Sequence, residues 1–260
     1  MIIQRPGQKI LTIGNPGLQI ISPRGGAAWT PANISGCFLW LDFSDPNTLF
    51  TDAGITKVSN NGDAIYQAND KSGNSNHAIQ STEANRPLYM TNIQNSLSAS
   101  LFDGSNDYLH IPYDASVQNA VNNIFLVCNE TSGNRFAHHL HITATNFRWH
   151  FGWYNYDAKI QSWINGVSTI GSLLADRSTL RIYFYDTKDN DVYANGTNVL
   201  SGTGADITYA ANWGIRIGAN ASGGEAMGGN ILEIICYNNQ IGPDNKTLVS
   251  DYLNAKWNIY

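Results

Sequence analysis

The chain has 260 residues, which is enough for one large all-β domain or for two ordinary domains. Charged residues make up only 13% of it, about half the usual share, so uncharged polar residues must cover the surface. A net charge of -5 and the lack of any Lys or Arg run argue against nucleic acid as a partner. No apolar stretch approaches the roughly 18 to 20 residues of a membrane helix, so no membrane partner is expected.

Residues 1–30 differ from the rest of the chain. Short apolar runs are separated by the turn residues Pro6-Gly7 and Asn15-Pro16-Gly17, a pattern typical of brief strands. So small a unit is not stable alone, so this N-terminal β-arm either folds onto the main domain or docks on a neighbouring subunit. Pro6, Gly7 and Lys9 interrupt any signal peptide, so export by that route is not expected. We therefore predict an arm over 1–30 and a sandwich domain over 31–260.

The remainder of the chain alternates short apolar runs with turns rich in Gly, Asn and Asp. Many short strands with little helical periodicity predict a β-sandwich or jelly roll. The exception is 244–257, where apolar residues recur at helical spacing and predict a short C-terminal helix. The predicted strands are 37–42, 64–68, 86–91, 99–103, 107–111, 124–130, 136–142, 147–154, 159–164, 179–185, 191–195, 213–217 and 231–238.

The three cysteines, Cys37, Cys128 and Cys236, are far apart and lie in apolar runs. Free Cys in such surroundings behaves as a small buried hydrophobe. The sequence contains no CxxC spacing. We therefore expect three core thiols without disulfides.

A series of short motifs follows a fixed order between residue 37 and the end of the chain. The motifs are Leu39-Trp40-Leu41-Asp42, Ser44-Asp45-Pro46, Asp70-Lys71-Ser72-Gly73-Asn74, Arg86-Pro87-Leu88-Tyr89, Phe102-Asp103-Gly104-Ser105-Asn106-Asp107-Tyr108-Leu109, Val192-Tyr193-Ala194-Asn195-Gly196, Ile217-Gly218, Gly229-Asn230-Ile231-Leu232-Glu233-Ile234-Ile235-Cys236-Tyr237-Asn238 and Asp251-Tyr252-Leu253-Asn254-Ala255-Lys256-Trp257. In this order they resemble the bacterial and phage concanavalin A-like group, the laminin-G-like jelly rolls. The resemblance implies an all-β jelly-roll β-sandwich with a short C-terminal helix, here carrying the N-terminal β-arm.

Domains of the group that this chain resembles serve as lectin-like binding modules, adhesion units and parts of phage virions. Fold alone does not choose between these roles. The docking arm and the lack of a signal peptide favour a phage virion structural or adhesion protein, such as a capsid decoration, head fibre or tail-associated protein. It would be made in the host cytoplasm, contact other virion proteins through the arm, and bind host or environmental glycans. A homo-oligomer is compatible with this role. The alternative is a bacterial extracellular or cell-surface carbohydrate-binding module.

Catalysis is not expected. Glycosidases that share this sandwich pair carboxylates on one strand, because an acid and a nucleophile must flank one bond. None of Glu83, Glu130, Glu225 and Glu233 has a carboxylate two or five residues further on. Nucleophile-elbow, phosphate-loop and zinc-protease motifs are also missing from the sequence. We expect Glu233 to be a buried, hydrogen-bonded structural residue on the face of Ile231 and Ile235.

The candidate ligand-binding residues are His139, His141, Arg148, His150 and Tyr154. If residues 143–146 form a hairpin loop, His141 pairs with Arg148 and His139 with His150, on the face opposite the core. This face is a polar solvent face, a surface for sugar hydroxyls or a carboxylate, or a zinc site. The fixed charge of Arg148 argues against the zinc site.

Two acidic turns raise the question of calcium. The first turn contains Asp103, Asn106 and Asp107, and the second contains Asp186, Asp189 and Asp191. Calcium is held by such oxygen ligands, but Asp and Asn are also the ordinary residues of hairpin turns. We favour the turn interpretation and expect no cofactor.

Overall fold

The computed structural model describes residues 29–112, 121–133, 136–144, 147–154, 159–164, 167–174, 176–202, 214–220 and 224–260. Apart from Trp29 and Thr30, the predicted arm lies outside the described residues. The Trp29 ring packs edge-on against Tyr252, with 5.8 Å between ring centroids. Trp29 therefore contacts the folded domain just before the predicted boundary.

Short strands dominate the described residues, as the sequence predicts. They are β1 (Cys37–Asp42), β2 (Leu49–Phe50), β3 (Gln67–Ala68), β4 (Ala78–Ile79), β5 (Leu88–Gln94), β6 (Leu97–Asp103), β7 (Leu109–Ile111), β8 (Asn123–Cys128), β9 (Ser132–Gly133), β10 (Phe136–Ala144), β11 (Phe147–Tyr154), β12 (Lys159–Ile164), β13 (Val167–Leu173), β14 (Arg181–Asp186), β15 (Asp191–Ala194), β16 (Thr197–Ser201), β17 (Ile215–Ile217) and β18 (Met227–Tyr237). One helix, α1 (Pro243–Trp257), follows β18.

The strands form two antiparallel sheets that pack as a sandwich. Sheet A has the order β16-β15-β14-β8-β18-β6-β5, with β1 and β9 also paired to β18. Sheet B has the order β13-β12-β11-β10-β17-β7-β4-β3-β2. The core between them combines Leu126 and Tyr183 of sheet A with Leu140, Ile160 and Ile217 of sheet B. This architecture confirms the predicted jelly-roll β-sandwich.

Helix α1 covers the outer face of sheet A and creates a second apolar layer. Its buried residues Val249, Leu253 and Trp257 pack in one cluster with Phe125 and Ile182 of the sheet. Pro243 stands in the first turn, where its missing N–H costs no hydrogen bond. The helix confirms the prediction for 244–257. None of the described helices has the length and apolar character that a bilayer span requires.

The three cysteines lie in strands of sheet A. Cys37 on β1, Cys128 on β8 and Cys236 on β18 are buried and free. Burial raises the pKa of the Cys37 thiol to about 12. Burial also raises the thiol pKa values of Cys128 and Cys236. The expectation of core thiols is confirmed.

Candidate functional site

Several of the motifs that carry the family resemblance meet beneath α1 in a buried polar network. Glu233 on β18 is its centre, with one carboxylate oxygen accepting from Trp40 Nε1 at 2.7 Å and Tyr252 OH at 2.9 Å. The other oxygen accepts from Trp257 Nε1 at 2.8 Å and Lys256 Nζ at 2.9 Å. Glu233 is therefore a hydrogen-bonded structural residue, as expected.

The expected face of Glu233 was only partly right. Ile235 packs with the α1 layer, on the side of Glu233, but Ile231 packs in the sandwich core. The pairing of β18 with β8 shifts register between Ile231 and Glu233, which marks a β-bulge. A bulge interrupts strict alternation, so Leu232 and Glu233 both belong to the α1 side.

A second carboxylate extends this network toward the surface. Asp42 on β1 accepts from Lys256 Nζ at 2.7 Å and from Lys71 Nζ at 2.8 Å. Burial alone would raise the pKa of Asp42, but the charges and hydrogen bonds of Lys256 and Lys71 lower it to about 2. Lys71 also pairs with Asp45 at 3.0 Å. These motif residues connect β1, β18 and α1. The motifs therefore indicate the fold and not a ligand site.

The sequence-predicted ligand residues lie on the hairpin of β10 and β11, but in a different register. The strands run to Ala144 and resume at Phe147, so the loop is shorter than the predicted 143–146. His141 consequently pairs with His150, and Arg148 pairs with Thr143, so the expected pairings were wrong by two residues. A shift of two leaves the alternation of β11 relative to β10 unchanged.

The other two predicted ligand residues lie further along the same hairpin. The register of β10 shifts between His138 and Leu140, so His139 stands at a β-bulge instead of opposite His150. Tyr154 pairs with Phe136 at the far end of the hairpin. The structure therefore does not place His139 and Tyr154 in the row that contains His141 and His150.

The row extends across sheet B. Arg216 on β17 pairs with His141, His110 on β7 pairs with Arg216, and Trp163 on β12 pairs with His150. His141 itself leaves only 3% of its surface exposed, so the expectation of an open solvent face was wrong at this position. The sequence signal for Arg216 and His110 was available, because each lies between two buried Ile or Leu residues in a short strand.

Both acidic turns use their carboxylates to organise backbone. Asp103 accepts from the amides of Ser105, Asn106 and Asp107 at 2.8, 3.1 and 3.2 Å. Burial and the neighbouring Asp103 charge raise the pKa of Asp107 to about 7. Asp186 accepts from the amide of Lys188 at 3.2 Å and from Lys246 Nζ at 2.8 Å.

These amide contacts are the ones that Asp makes in an ordinary turn. Among the described residues, no group of three His, Cys, Asp or Glu side chains is arranged to hold a metal ion.

A groove of about 390 Å³ lies between α1 and the outer face of β14 and β15. Its sheet wall contains Phe184 and Tyr193, which are cross-strand partners with ring centroids 5.7 Å apart. Tyr260, 57% exposed, contributes a third ring after the end of α1. The volume falls in the range of small-ligand sites, roughly 300 to 1,000 Å³.

Polar groups surround these rings. The carboxylates of Asp189, Asp191 and Asp251 and the hydroxyls of Thr247 and Ser250 line the groove. Asp189 and Asp251 are exposed, and Asp191 is half-buried. Aromatic faces beside hydrogen-bond acceptors suit a ligand with apolar CH faces and hydroxyl groups.

The sequence did not identify this groove. The sequence indicates Asp186, Asp189 and Asp191 only as turn or calcium residues, and nothing in it distinguishes Phe184 or Tyr260. One clue was available in β14, where Tyr183 and Phe184 put a large aromatic side chain on each of the two faces of the strand. Such a strand must be covered on both sides, which implies an element packed against the outer face.

No protein-family model matches this chain, and no curated protein matches it by sequence. Among solved structures, it is similar to domain 4 of an extracellular arabinanase from Geobacillus stearothermophilus, solved with arabinotriose. That likeness has a TM-score of 0.57 at 16% identity and covers 82% of this chain and 98% of that one. It is also similar to the sialidase of Trypanosoma rangeli, with a TM-score of 0.56, 12% identity and 92% of this chain covered, but only 36% of the sialidase. At these identities the likeness shows a shared β-sandwich fold.

Proposed function

We propose that this domain is a non-catalytic glycan-binding module whose ligand lies in the groove between α1 and sheet A. The observation that carries the proposal is the pair of Phe184 and Tyr193 rings on the groove wall, 5.7 Å apart, beside carboxylates and hydroxyls. A sugar presents CH groups that stack on aromatic faces and hydroxyls that donate to carboxylates. The groove offers both kinds of contact.

The fold supports this function without assigning the groove. Domain 4 of the arabinanase was solved with arabinotriose, so a sandwich of this kind can hold a short oligosaccharide. The likeness at 16% identity extends to the fold alone. The groove residues of the present chain carry the rest of the argument.

The surroundings of two buried glutamates support a non-catalytic role. Glycoside hydrolysis needs a free acid and a second carboxylate on either side of the bond. Glu233 is saturated by four donors. Glu130 forms a buried ion pair with Arg177. Incubation of the full chain with any glycan it binds should release no new reducing ends, and their release would show that it is an enzyme.

The groove is tested by a glycan array followed by calorimetry on the strongest hit. Tyr193→Ala should weaken binding by about tenfold, because one stacking contact contributes about 1.4 kcal/mol. Tyr193→Phe keeps the ring and serves as the matched control. Unchanged affinity of the Tyr193→Ala variant would remove the groove as the site.

The residues predicted from the sequence, His139, His141, Arg148, His150 and Tyr154, define a second candidate surface for the same function. The observation in its favour is the cross-sheet row in which Arg216, His141 and His150 are register neighbours. Arg148→Ala combined with His150→Ala should leave glycan binding intact if the groove is the site. Loss of binding in this variant alone would move the site to sheet B.

A place in a phage virion, with attachment to other virion proteins through residues 1–30, is a proposal that rests on the sequence resemblance. It includes synthesis in the host cytoplasm, localisation in the virion and function without a cofactor. Stoichiometric presence in purified particles tests the virion role. A melting temperature that calcium raises and EDTA restores would contradict the expectation of no cofactor.

A further inference from the structure

The negative charge of the groove lining makes it unsuited to acidic sugars. Lys246 lines it, but its ammonium lies 2.8 Å from Asp186, which neutralises it. Asp189, Asp191 and Asp251 then leave the described lining with an excess of negative charge. The first turn of α1 adds a partial positive charge of only about half a unit, which is smaller than the combined negative charge of these three carboxylates. An anionic ligand would therefore meet net repulsion.

The chain itself shows how an ammonium group fits here. Lys246 Nζ stands 5.2 Å from the centroid of the Phe184 ring while it contacts Asp186. An ammonium over an aromatic face and beside a carboxylate combines cation-π attraction with a charged hydrogen bond. Tyr193 and Tyr260 line the same groove as Asp191 and Asp251 and offer aromatic faces beside carboxylates. Lys246 is the one lysine of the described lining, and it pairs with Asp186.

The proximity of ring and carboxylate is clearest at Tyr260. Burial and the charge of Asp251 raise the pKa of the Tyr260 phenol. Asp251 and Tyr260 both line the groove, at the end formed by the C-terminal segment.

We infer that the groove selects cationic amino sugars, glycans whose hexosamine units carry a free amine, over their neutral N-acetylated forms, and that it rejects uronic and sialic acids. This inference rests on the proposed function and names the ligand class of the same site. The amine would lie beside Asp189, Asp191 or Asp251, with its ring against an aromatic side chain.

The test uses three trisaccharides that differ in charge: a glucosamine trimer, the corresponding N-acetylglucosamine trimer, and a galacturonic acid trimer. Calorimetry with the full chain at pH 6 and low salt should show at least tenfold tighter binding of the glucosamine trimer than of its acetylated form. The galacturonic acid trimer should not bind. The preference should shrink at 0.5 M salt, because added ions screen exposed charges.

Variants link this preference to the groove. Asp189→Asn with Asp251→Asn should reduce the preference for the glucosamine trimer at least fivefold, while Glu83→Gln, an exposed carboxylate outside the groove lining, should leave it unchanged. Equal affinity for the amino and acetylated trimers, or a preference that survives the double variant, would overturn the inference.

The outcomes also separate this inference from the proposed function. If a neutral glycan binds and Tyr193→Ala weakens it, glycan binding in the groove stands and only the charge selection fails. If none of the trimers binds and no array glycan depends on Tyr193, both proposals fail.

Discussion

Glu233 lies beneath α1 with both carboxylate oxygens accepting from Trp40, Tyr252, Lys256 and Trp257. A buried carboxylate is tolerated only when such donors replace the water it has lost. The same donors leave it no capacity for a ligand. Its contacts therefore join β1, β18 and α1.

Replacing Glu233 by Gln places an NH₂ group where an oxygen accepts two donors. We expect a loss of about 3 kcal/mol in the free energy of unfolding, because an indole N–H loses its buried acceptor and Lys256 loses one of its two carboxylate partners. Urea denaturation measures the change. Glu83→Gln, an exposed carboxylate, is the control and should change the stability by less than about 0.5 kcal/mol. A similar effect of the two substitutions would contradict the structural role.

Asp42 gives the domain a defined acid sensitivity. Its pKa is about 2 in the folded chain, below the ordinary value of 3.8, so folding favours the ionised form. The stabilisation is present above pH 4 and is lost as the pH falls from about 4 to about 2. Asp42→Asn should remove a contribution on the order of 2 kcal/mol from this pH dependence. Denaturation curves between pH 2 and 6 measure the free energy of unfolding of both proteins. If this free energy depends on pH in the same way in the variant, the ion pairs of Asp42 with Lys71 and Lys256 are contradicted.

At the scale of elements, the hairpin of β10 and β11 shows where sequence reasoning reached its limit. The alternating pattern located both strands, but the number of residues in the connection sets the register, and Thr143 and Ala144 fit a strand or a loop equally well. The bulge at His139 has no signal in the local sequence either. The histidines were thus assigned to the right strands and to the wrong partners.

The register can be tested by cross-strand disulfides. Thr143→Cys with Arg148→Cys joins direct partners and should oxidise readily, whereas His141→Cys with Arg148→Cys joins the pair expected from the sequence and should not. Non-reducing mass spectrometry of peptides distinguishes the products. Preferential disulfide formation between positions 141 and 148 would favour the longer loop, 143–146.

Other elements show which signals were informative. The strand predicted at 37–42 matches β1, because its unbroken apolar run is buried throughout. Strands β13 and β16 were missed, since Ser, Thr, Gly and Asn make up much of both. Both are terminal strands of their sheets, where one side of the strand has no neighbour among the strands that the structure describes. Weak patterning of this kind is difficult to separate from a loop.

Helix α1 contributes to stability through its buried face. Leu253→Ala should lower the free energy of unfolding by about 2 to 5 kcal/mol, because it leaves a cavity in the layer between α1 and sheet A. Ala255→Ser, on the exposed face, is the control. Thermal and urea denaturation measure both variants, and equal stability would show that the helix is not firmly packed.

At the scale of the whole molecule, the groove arises from elements distant in sequence. Phe184 and Tyr193 come from two strands of sheet A, whereas Asp251 and Tyr260 come from the C-terminal segment that packs on them. The sequence predicted the sheet strands and the helix but not which face of which sheet the helix covers. That placement depends on the assembled core, so the groove could not be predicted while the fold class could.

The arm prediction is also tested at this scale. A fragment of residues 29–260 keeps Trp29 against Tyr252 and should be a stable monomer, whereas the full chain should self-associate if residues 1–28 dock on a neighbour. Light scattering on size-exclusion peaks measures both masses. Monomers in both cases would favour an arm that folds onto its own domain.

The buried thiols give the molecule an internal reporter of unfolding. Cys128 lies in β8 and Cys37 in β1, both paired with β18, which carries Cys236. Burial holds the pKa values of all three thiols above the ordinary range. A thiol must reach water and ionise before an alkylating reagent can modify it. Labelling of the native chain should therefore be limited by the opening of sheet A, and the reaction rate would follow the stability of these three strands without any introduced probe.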